Sequence, residues 1–264
     1  MEEEPRFEVY GEPDATRRAF VELFTRIPSI LRSGSKPRST LPFSREKPRI
    51  GIGEEGKLYR SYELVTPKRL RTLLDGPKVT EAMLYFKFKV PGLKSKDQTL
   101  FLYWQRDASC YPRVQGVSEI EMTLCSDDEK AKVRMSGRQF DVLISIWEII
   151  ILGSNPHYGV FWKEGDRFVP THMFITQRPE YIYQANYFGP KMVGRVGRER
   201  IMTVPEIAKD HGPKVFPSTW HVKELSTEGI LLYEESDPSK SGIAGDQEVL
   251  KKHLGIKDLN LLTF

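Results

Sequence analysis

The stretch MLYFKFKV, residues 83–90, decides the fold class, because its side chains alternate in character with a period of two. Its apolar side chains would share one face of a strand, opposite a tyrosine and two lysines: Leu84, Phe86, Phe88 and Val90 against Tyr85, Lys87 and Lys89. One buried face and one wet face are typical of an antiparallel sheet. Two more strand candidates follow in series, TLFLYWQ (99–105) and SEIEMTLC (118–125). We therefore predict an antiparallel meander.

The next segment along the chain is a helix candidate, RQFDVLISIWEIIIL, at about residues 138–152. It is apolar on most sides, which predicts that neighbours bury it on both sides. Gly153 and Pro156 are expected to end it. We expect this helix to pack on the sheet.

The remaining strand candidates come in runs and do not alternate with helices. They are RFEVYG (6–11), YGVFWKE (158–164), THMFITQ (171–177), YIYQANYF (181–188), STWHVKEL (218–225) and GILLYEE (229–235). Helices are predicted over 15–27, between Thr66 as N-cap and Gly76, from Gly189-Pro190 to about Gly197, and over 247–255. The sequence thus predicts one α+β domain, residues 1–264, with a mainly antiparallel central sheet flanked by helices.

Charge is distributed unevenly along the chain. Residues 26–71 contain twelve Lys/Arg against four Glu, and 224–248 contain seven acids against Lys240 alone. Within the basic part, residues 32–49 are rich in Ser, Pro and Arg, which predicts a loop. Such polarity favours steering of a charged partner, so Arg45, Lys47 and Arg49 at one end are candidate partner-binding residues. Glu234, Glu235 and Asp237, predicted as a solvated strand end, are candidates at the other.

Composition places the chain among ordinary globular proteins, with 39% hydrophobic and 29% charged residues. The start, MEEEPRFEVYG, is acidic and does not resemble a secretory signal. The longest apolar run is shorter than the roughly 20 residues that span a bilayer. We therefore expect a cytoplasmic protein without a membrane partner. Cys110 and Cys125 are expected to be reduced thiols.

No catalytic motif is recognisable. The stretch GPKMVGRVGRER (189–200) lacks the Gly-Lys-Ser/Thr of a P-loop, and a structural helix with a solvated Arg face explains it better. The five histidines have no metal-ligand spacing, and no G-x-S-x-G sequence would expose a serine nucleophile. We expect no catalytic residue, no metal and no cofactor, hence no enzyme. An enzyme with a dispersed site stays open as an alternative.

Aromatic residues make up 11% of the chain and alternate along several strands. Core filling is the common use of such rows, and stacking of single-stranded bases is a second one. Four rings lie next to turns, where we expect partial exposure: Tyr158, Trp162, Tyr181 and Tyr183. Exposed Tyr and Trp rings are favoured anchors at protein interfaces, so these four are further candidate partner-binding residues.

The C-terminal half, about residues 140–255, resembles the type VI secretion immunity-protein family, first catalogued as a domain of unknown function. Three segments carry the resemblance: GSNPHYGVFW after the apolar helix, NYFGPKMVGRVG, and TEGILLYEESDPSKSGIAGDQEVLKKHLGI. The resemblance implies a bacterial protein that binds and neutralises a cognate secreted toxin stoichiometrically, without catalysis. The alternative is a nucleic-acid-binding module that uses the basic segment 26–71. The oligomeric state is open.

Overall fold

The computed structural model describes residues 6–33, 49–54, 57–64, 66–76, 79–89, 97–106, 116–126, 137–162, 179, 181–211, 219–235 and 243–256. Its strands are β1 (Arg6–Gly11), β2 (Arg49–Glu54), β3 (Lys57–Leu64), β4 (Val79–Lys89), β5 (Asp97–Gln105), β6 (Ser118–Ser126), β7 (Tyr158–Trp162), β8 (Ala185–Phe188), β9 (Thr219–Glu224) and β10 (Ile230–Glu235). Its helices are α1 (Pro13–Ser33), α2 (Pro67–Leu74), α3 (Gly137–Ser154), α4 (Pro190–Val196), α5 (Arg198–Met202), α6 (Val204–His211) and α7 (Ile243–Leu254).

The strands of the described ranges form one sheet in the order β3-β2-β4-β5-β6-β1-β7-β8-β10-β9. Every neighbouring pair is antiparallel. The predicted α+β class with an antiparallel central sheet is therefore confirmed, and β4, β5 and β6 form the predicted meander. β1 lies between β6 and β7, so the first described strand joins the two parts of the sheet.

Each face of the sheet carries its own core. On the first face, apolar residues of β1, β4, β5 and β6, including Phe7 and Val9, pack with α1, α2 and α3. On the second face, apolar residues of β7, β8, β10 and β9 pack with α4 to α7. Because strand side chains alternate, Glu8 points to the second face while Phe7 and Val9 point to the first. The polar residues of β1 and its neighbours therefore share a face with the second core.

The apolar helix is confirmed as α3, but it is not buried on all sides. Trp147, Ile150 and Ile151 are fully buried, whereas Ile149 is partly buried and Leu152 is 39% exposed. The sheet and α1 cover one side of α3, and a stripe at helical spacing reaches solvent. Within the described residues, no helix combines the length and apolarity needed to cross a membrane.

Three parts of the chain differ from the sequence prediction. A hairpin, β2–β3, was not predicted, because Gly51 and Gly53 weaken its alternation. The strand predicted over 181–188 begins only at Ala185, because the Asn186 side chain bonds both backbone groups of Tyr183 and holds a turn there. Helical structure continues beyond Gly197 in α5 and α6.

Of the predicted loop 32–49, the ends belong to α1 and β2, and 34–48 lie outside the described residues. The strand candidate 171–177 also lies outside them. The helix start at Thr66-Pro67 is confirmed, with the Thr66 hydroxyl accepting a hydrogen bond from the backbone N–H of Arg69 at 3.3 Å. The helix start at Gly189-Pro190 is confirmed as well.

Candidate functional site

The turn-flanking aromatics do not form one exposed row. Tyr158 and Tyr183 are 0% and 2% exposed, so the expected partial exposure of these two rings is wrong. Tyr158 lies 6.2 Å from Phe188 between ring centroids and belongs to the second core. A partner docking on this conformation could not touch either ring. Tyr181 is partly exposed, as expected, and Trp162 ends β7, with its side chain outside the described residues.

The charged candidate residues also do not form one exposed group among the described residues. Glu234 is 2% exposed, so the predicted solvated strand end is wrong at this position. Its side chain lies on the face of Leu232 and opposite Trp220, because β10 continues there in register with β9. Glu235 ends β10 and Arg49 begins β2, but neither side chain is described. Arg45, Lys47 and Asp237 lie outside the described residues.

Three glutamates in the described part of the sheet form a cluster that the sequence analysis does not predict. Glu8 of β1 lies opposite Glu121 of β6, and Glu119 is two residues earlier on the same face. One carboxylate oxygen from each lies within 4.8 Å of the other two. Carboxylate oxygens at this spacing suit a divalent cation. The signal in the sequence is the Glu-x-Glu of SEIEMTLC, but its pairing with Glu8 is set by tertiary structure.

Hydroxyl groups and one arginine already bond to this carboxylate cluster (Glu8, Glu119 and Glu121). Tyr10 donates its hydroxyl to Glu8 at 2.5 Å, and Thr123 donates to Glu121 at 2.8 Å. Arg6 lies 3.7 Å from Glu121. Glu8 and Glu119 are only 3% and 2% exposed, so a macromolecular substrate has no access to their carboxylates. The geometry fits a buried polar network in the sheet better than an open catalytic site.

Tyr103 of β5 continues the polar face towards β4. It donates a hydrogen bond to Glu81 and accepts one from Gln105 Nε2 at 2.6 Å. Burial, and then the hydrogen bond to Glu81, raise the pKa of Tyr103 well above its usual range. Burial likewise raises the pKa of Tyr187. Both side chains therefore stay neutral in the fold at pH values where an unfolded tyrosine ionises.

This difference predicts a loss of stability in alkali. An unfolded tyrosine ionises near pH 10. The contribution of the two neutral tyrosines to the free energy of unfolding is therefore complete below about pH 10, and it falls as the pH rises towards the folded pKa. Tyr103→Phe should make this alkaline fall shallower, and Tyr187 should retain its own part. Urea unfolding at a series of pH values from neutral to strongly alkaline measures this fall in the free energy of unfolding. Equal slopes for the variant and the wild type would contradict the prediction.

The three segments that carry the family resemblance meet in one packed unit. β7 pairs with β8, and β8 pairs with β10, while α4 follows β8 directly. A Cβ at Gly159 would lie 2.8 Å from Trp147 Cζ2, and one at Gly189 would lie 2.5 Å from the carbonyl oxygen of His157. A Cβ at Gly229 would lie 2.2 Å from the Tyr187 hydroxyl. Gly189 and Gly229 thus permit close packing between the segments, and Gly159 permits close packing against α3.

Comparison with known proteins identifies no family for this chain. No protein-family model and no curated protein matches the chain. Among solved structures, the chain is similar to the Pseudomonas aeruginosa T6SS protein PA0821, with 13% sequence identity and a TM-score of 0.47. The alignment covers 97% of this chain and 76% of that one. A similarity at this level assigns no function.

Proposed function

We propose that the protein is an immunity-type protein, which binds a cognate secreted antibacterial toxin of a type VI secretion system and neutralises it by stoichiometric contact. One observation carries the proposal. The segments resembling the immunity family, distant in sequence, pack as the single unit of β7, β8, β10 and α4. The three segments thus depend on one another in space, and this mutual packing supports the proposal.

The environment of the ionisable groups favours binding over catalysis. The carboxylate cluster is the strongest candidate for chemistry among the described residues, and two of its three members are closed to solvent. A hydrolase needs acid and base groups within reach of its substrate. Exposed side chains are the ones a protein partner would contact. We propose accordingly that the protein has no catalytic activity and needs no cofactor.

The proposal is tested by co-expression with the secreted protein of the neighbouring gene. Expressed alone in the bacterial cytoplasm, that protein should arrest growth, and co-expression of this chain should restore growth. The purified proteins should bind with nanomolar or tighter affinity, because an inhibitor must stay bound to each toxin molecule that arrives. Persistent growth arrest, or protection without a detectable complex, would contradict the proposal.

Nucleic-acid binding through the basic segment 26–71 is the second candidate. Lys68, Arg69 and Arg71 are exposed on α2, which favours it. Phosphate contacts make such binding fall steeply with salt. Tight, steeply salt-dependent binding of duplex or single-stranded DNA, with no binding to the neighbouring gene product, would favour this function over immunity.

A further inference from the structure

The helices that cover the second face carry several exposed cations. Lys191 and Arg195 lie one turn apart on α4, Arg200 lies on α5, and Lys252 lies in the last turn of α7. Among the described residues, none of these four makes an ion pair, whereas neighbouring Arg198 and Lys251 pair with Glu224 and Glu248. α4 contains no acid, and α5 contains only Glu199.

Contacts between α5 and α7 place Arg200 and Lys252 on one surface, and Gly197, the junction of α4 and α5, connects this surface to the end of α4. The Nε2 atom of His253 lies 2.8 Å from the carbonyl oxygen of Arg200 and 3.0 Å from Thr203 Oγ1. The Arg200 side chain runs from Gly197 to the end of α7. A Cβ at Gly197 would lie 3.8 Å from its Cδ, and one at Gly255 would lie 2.8 Å from its NH1. Lys252 lies close to Gly255, the residue after α7, because the backbone N–H of Gly255 donates a hydrogen bond to the carbonyl oxygen of Lys252 at 3.2 Å.

Tyr181 adds an aromatic ring to the border of this surface. The Lys251 Nζ atom stands 5.3 Å from its ring centroid, and the tilted ring of Tyr183 lies 5.0 Å away. Tyr181 is the one turn-flanking tyrosine that stays partly exposed. A nucleic-acid base would need an open ring face for stacking. Here Lys251 already stands over the ring, which disfavours the stacking of a base on that face.

We propose that Lys191, Arg195, Arg200, Lys252 and Tyr181 form a basic docking surface for an acidic face of a protein partner. Arg and Tyr are enriched at protein interfaces, and unpaired exposed cations accelerate association with an acidic partner. The inference rests on the proposed function, and deepens it by assigning the contact surface and the charge of the toxin's face. It gives a role to the basic glycine-containing helix that sequence patterns explain only as scaffold.

The test compares two variants of equal charge. The first combines Lys191→Ser, Arg195→Ser and Lys252→Ser, and leaves Arg200 in place because it packs against Gly197 and Gly255. The matched variant removes three exposed cations from the helices on the opposite face: Arg18→Ser, Lys68→Ser and Arg71→Ser. Thermal unfolding first establishes that both variants fold. A third variant, Tyr181→Ala, probes the aromatic contact.

Association kinetics with the neighbouring gene product are then measured at low and high salt. At low salt the first variant should associate roughly tenfold more slowly, and the matched variant should change by less than about twofold, since steering depends on local charge. Tyr181→Ala should mainly speed dissociation. Equal slowing by both triple variants, or slowing by the matched variant alone, would overturn the proposed surface.

A second arm separates this inference from the proposed function. Poly-L-glutamate and a DNA duplex of similar charge are titrated against the wild type and both triple variants. Weaker binding of poly-L-glutamate by the first variant alone would support the surface, whether or not the gene product binds. Failure of the gene product to bind would contradict only the immunity function. Tighter binding of the duplex through these same cations would overturn the choice of a protein partner.

Discussion

Trp147→Asp is expected to abolish cooperative folding. Trp147 is fully buried in α3, and its ring centroid lies 5.5 Å from that of Phe7 in the central strand. Removing a buried tryptophan side chain costs about 3–5 kcal/mol, even before any charge is introduced. Burying an unpaired carboxylate adds several kcal/mol more, against a total stability of roughly 5–15 kcal/mol. Circular dichroism during heating should show no cooperative transition.

A second substitution, Trp147→Phe, separates the effect of the buried charge from the effect of the lost volume. The indole Nε1 atom of Trp147 has no hydrogen-bond partner among the described residues. Trp147→Phe therefore loses volume but no hydrogen bond, and should fold with a reduced melting temperature. If the aspartate variant melted at the wild-type temperature, the buried position of Trp147 would be wrong. If the phenylalanine variant also failed to fold, the loss would come from packing alone.

Gly189→Ala should destabilise the fold severely for a different reason. The backbone of Gly189 is ordinary, with φ −66° and ψ 166°, so conformational freedom does not explain the residue. The lack of space for a side chain explains the glycine, because a Cβ would lie 2.5 Å from the carbonyl oxygen of His157 and 2.6 Å from that of Pro156. Both obstacles are backbone atoms, so β8 and the chain before β7 would have to separate. We expect a loss of about 3 kcal/mol or more, in the range of strongly destabilising substitutions.

The same helix supplies the control. Gly194 lies on the exposed side of α4, and a Cβ there would meet nothing within 4 Å. Gly194→Ala should stabilise the protein by about 0.5–1 kcal/mol, because alanine favours the helix. Urea unfolding measures both variants. Equal effects at the two positions would show that the close contact at Gly189 does not exist.

Local patterns predicted most elements, but of their neighbours only those within the meander of β4, β5 and β6. The period of two in MLYFKFKV and the apolar run of α3 identified a strand and a helix, because both signals lie within about a dozen residues. The strand β2 was not predicted, because its glycines weaken the alternation of side chains. The turn at Tyr183 depends on a side-chain bond from Asn186, which no alternation reveals.

The candidate site was predictable only in part, because exposure depends on partners distant in sequence. Tyr158 and Glu234 are buried by strands and helices that the sequence does not identify as neighbours. The carboxylate cluster needs Glu8 beside Glu121, a pairing across more than a hundred residues. The cations of α5 and α7 are visible in the sequence as single charges, while their closeness depends on the contacts of Arg200 and His253.

The central place of β1 has a consequence for how the chain folds as it is synthesised. β1 leaves the ribosome before all other described strands, but its two neighbours, β6 and β7, are translated much later. Until then its hydrogen-bonding edges have no native partner, and the two halves of the sheet have no strand in common. Such distant pairing slows folding and prolongs the exposure of unpaired edges. The nascent chain must therefore keep β1 from aggregation until both β6 and β7 have emerged.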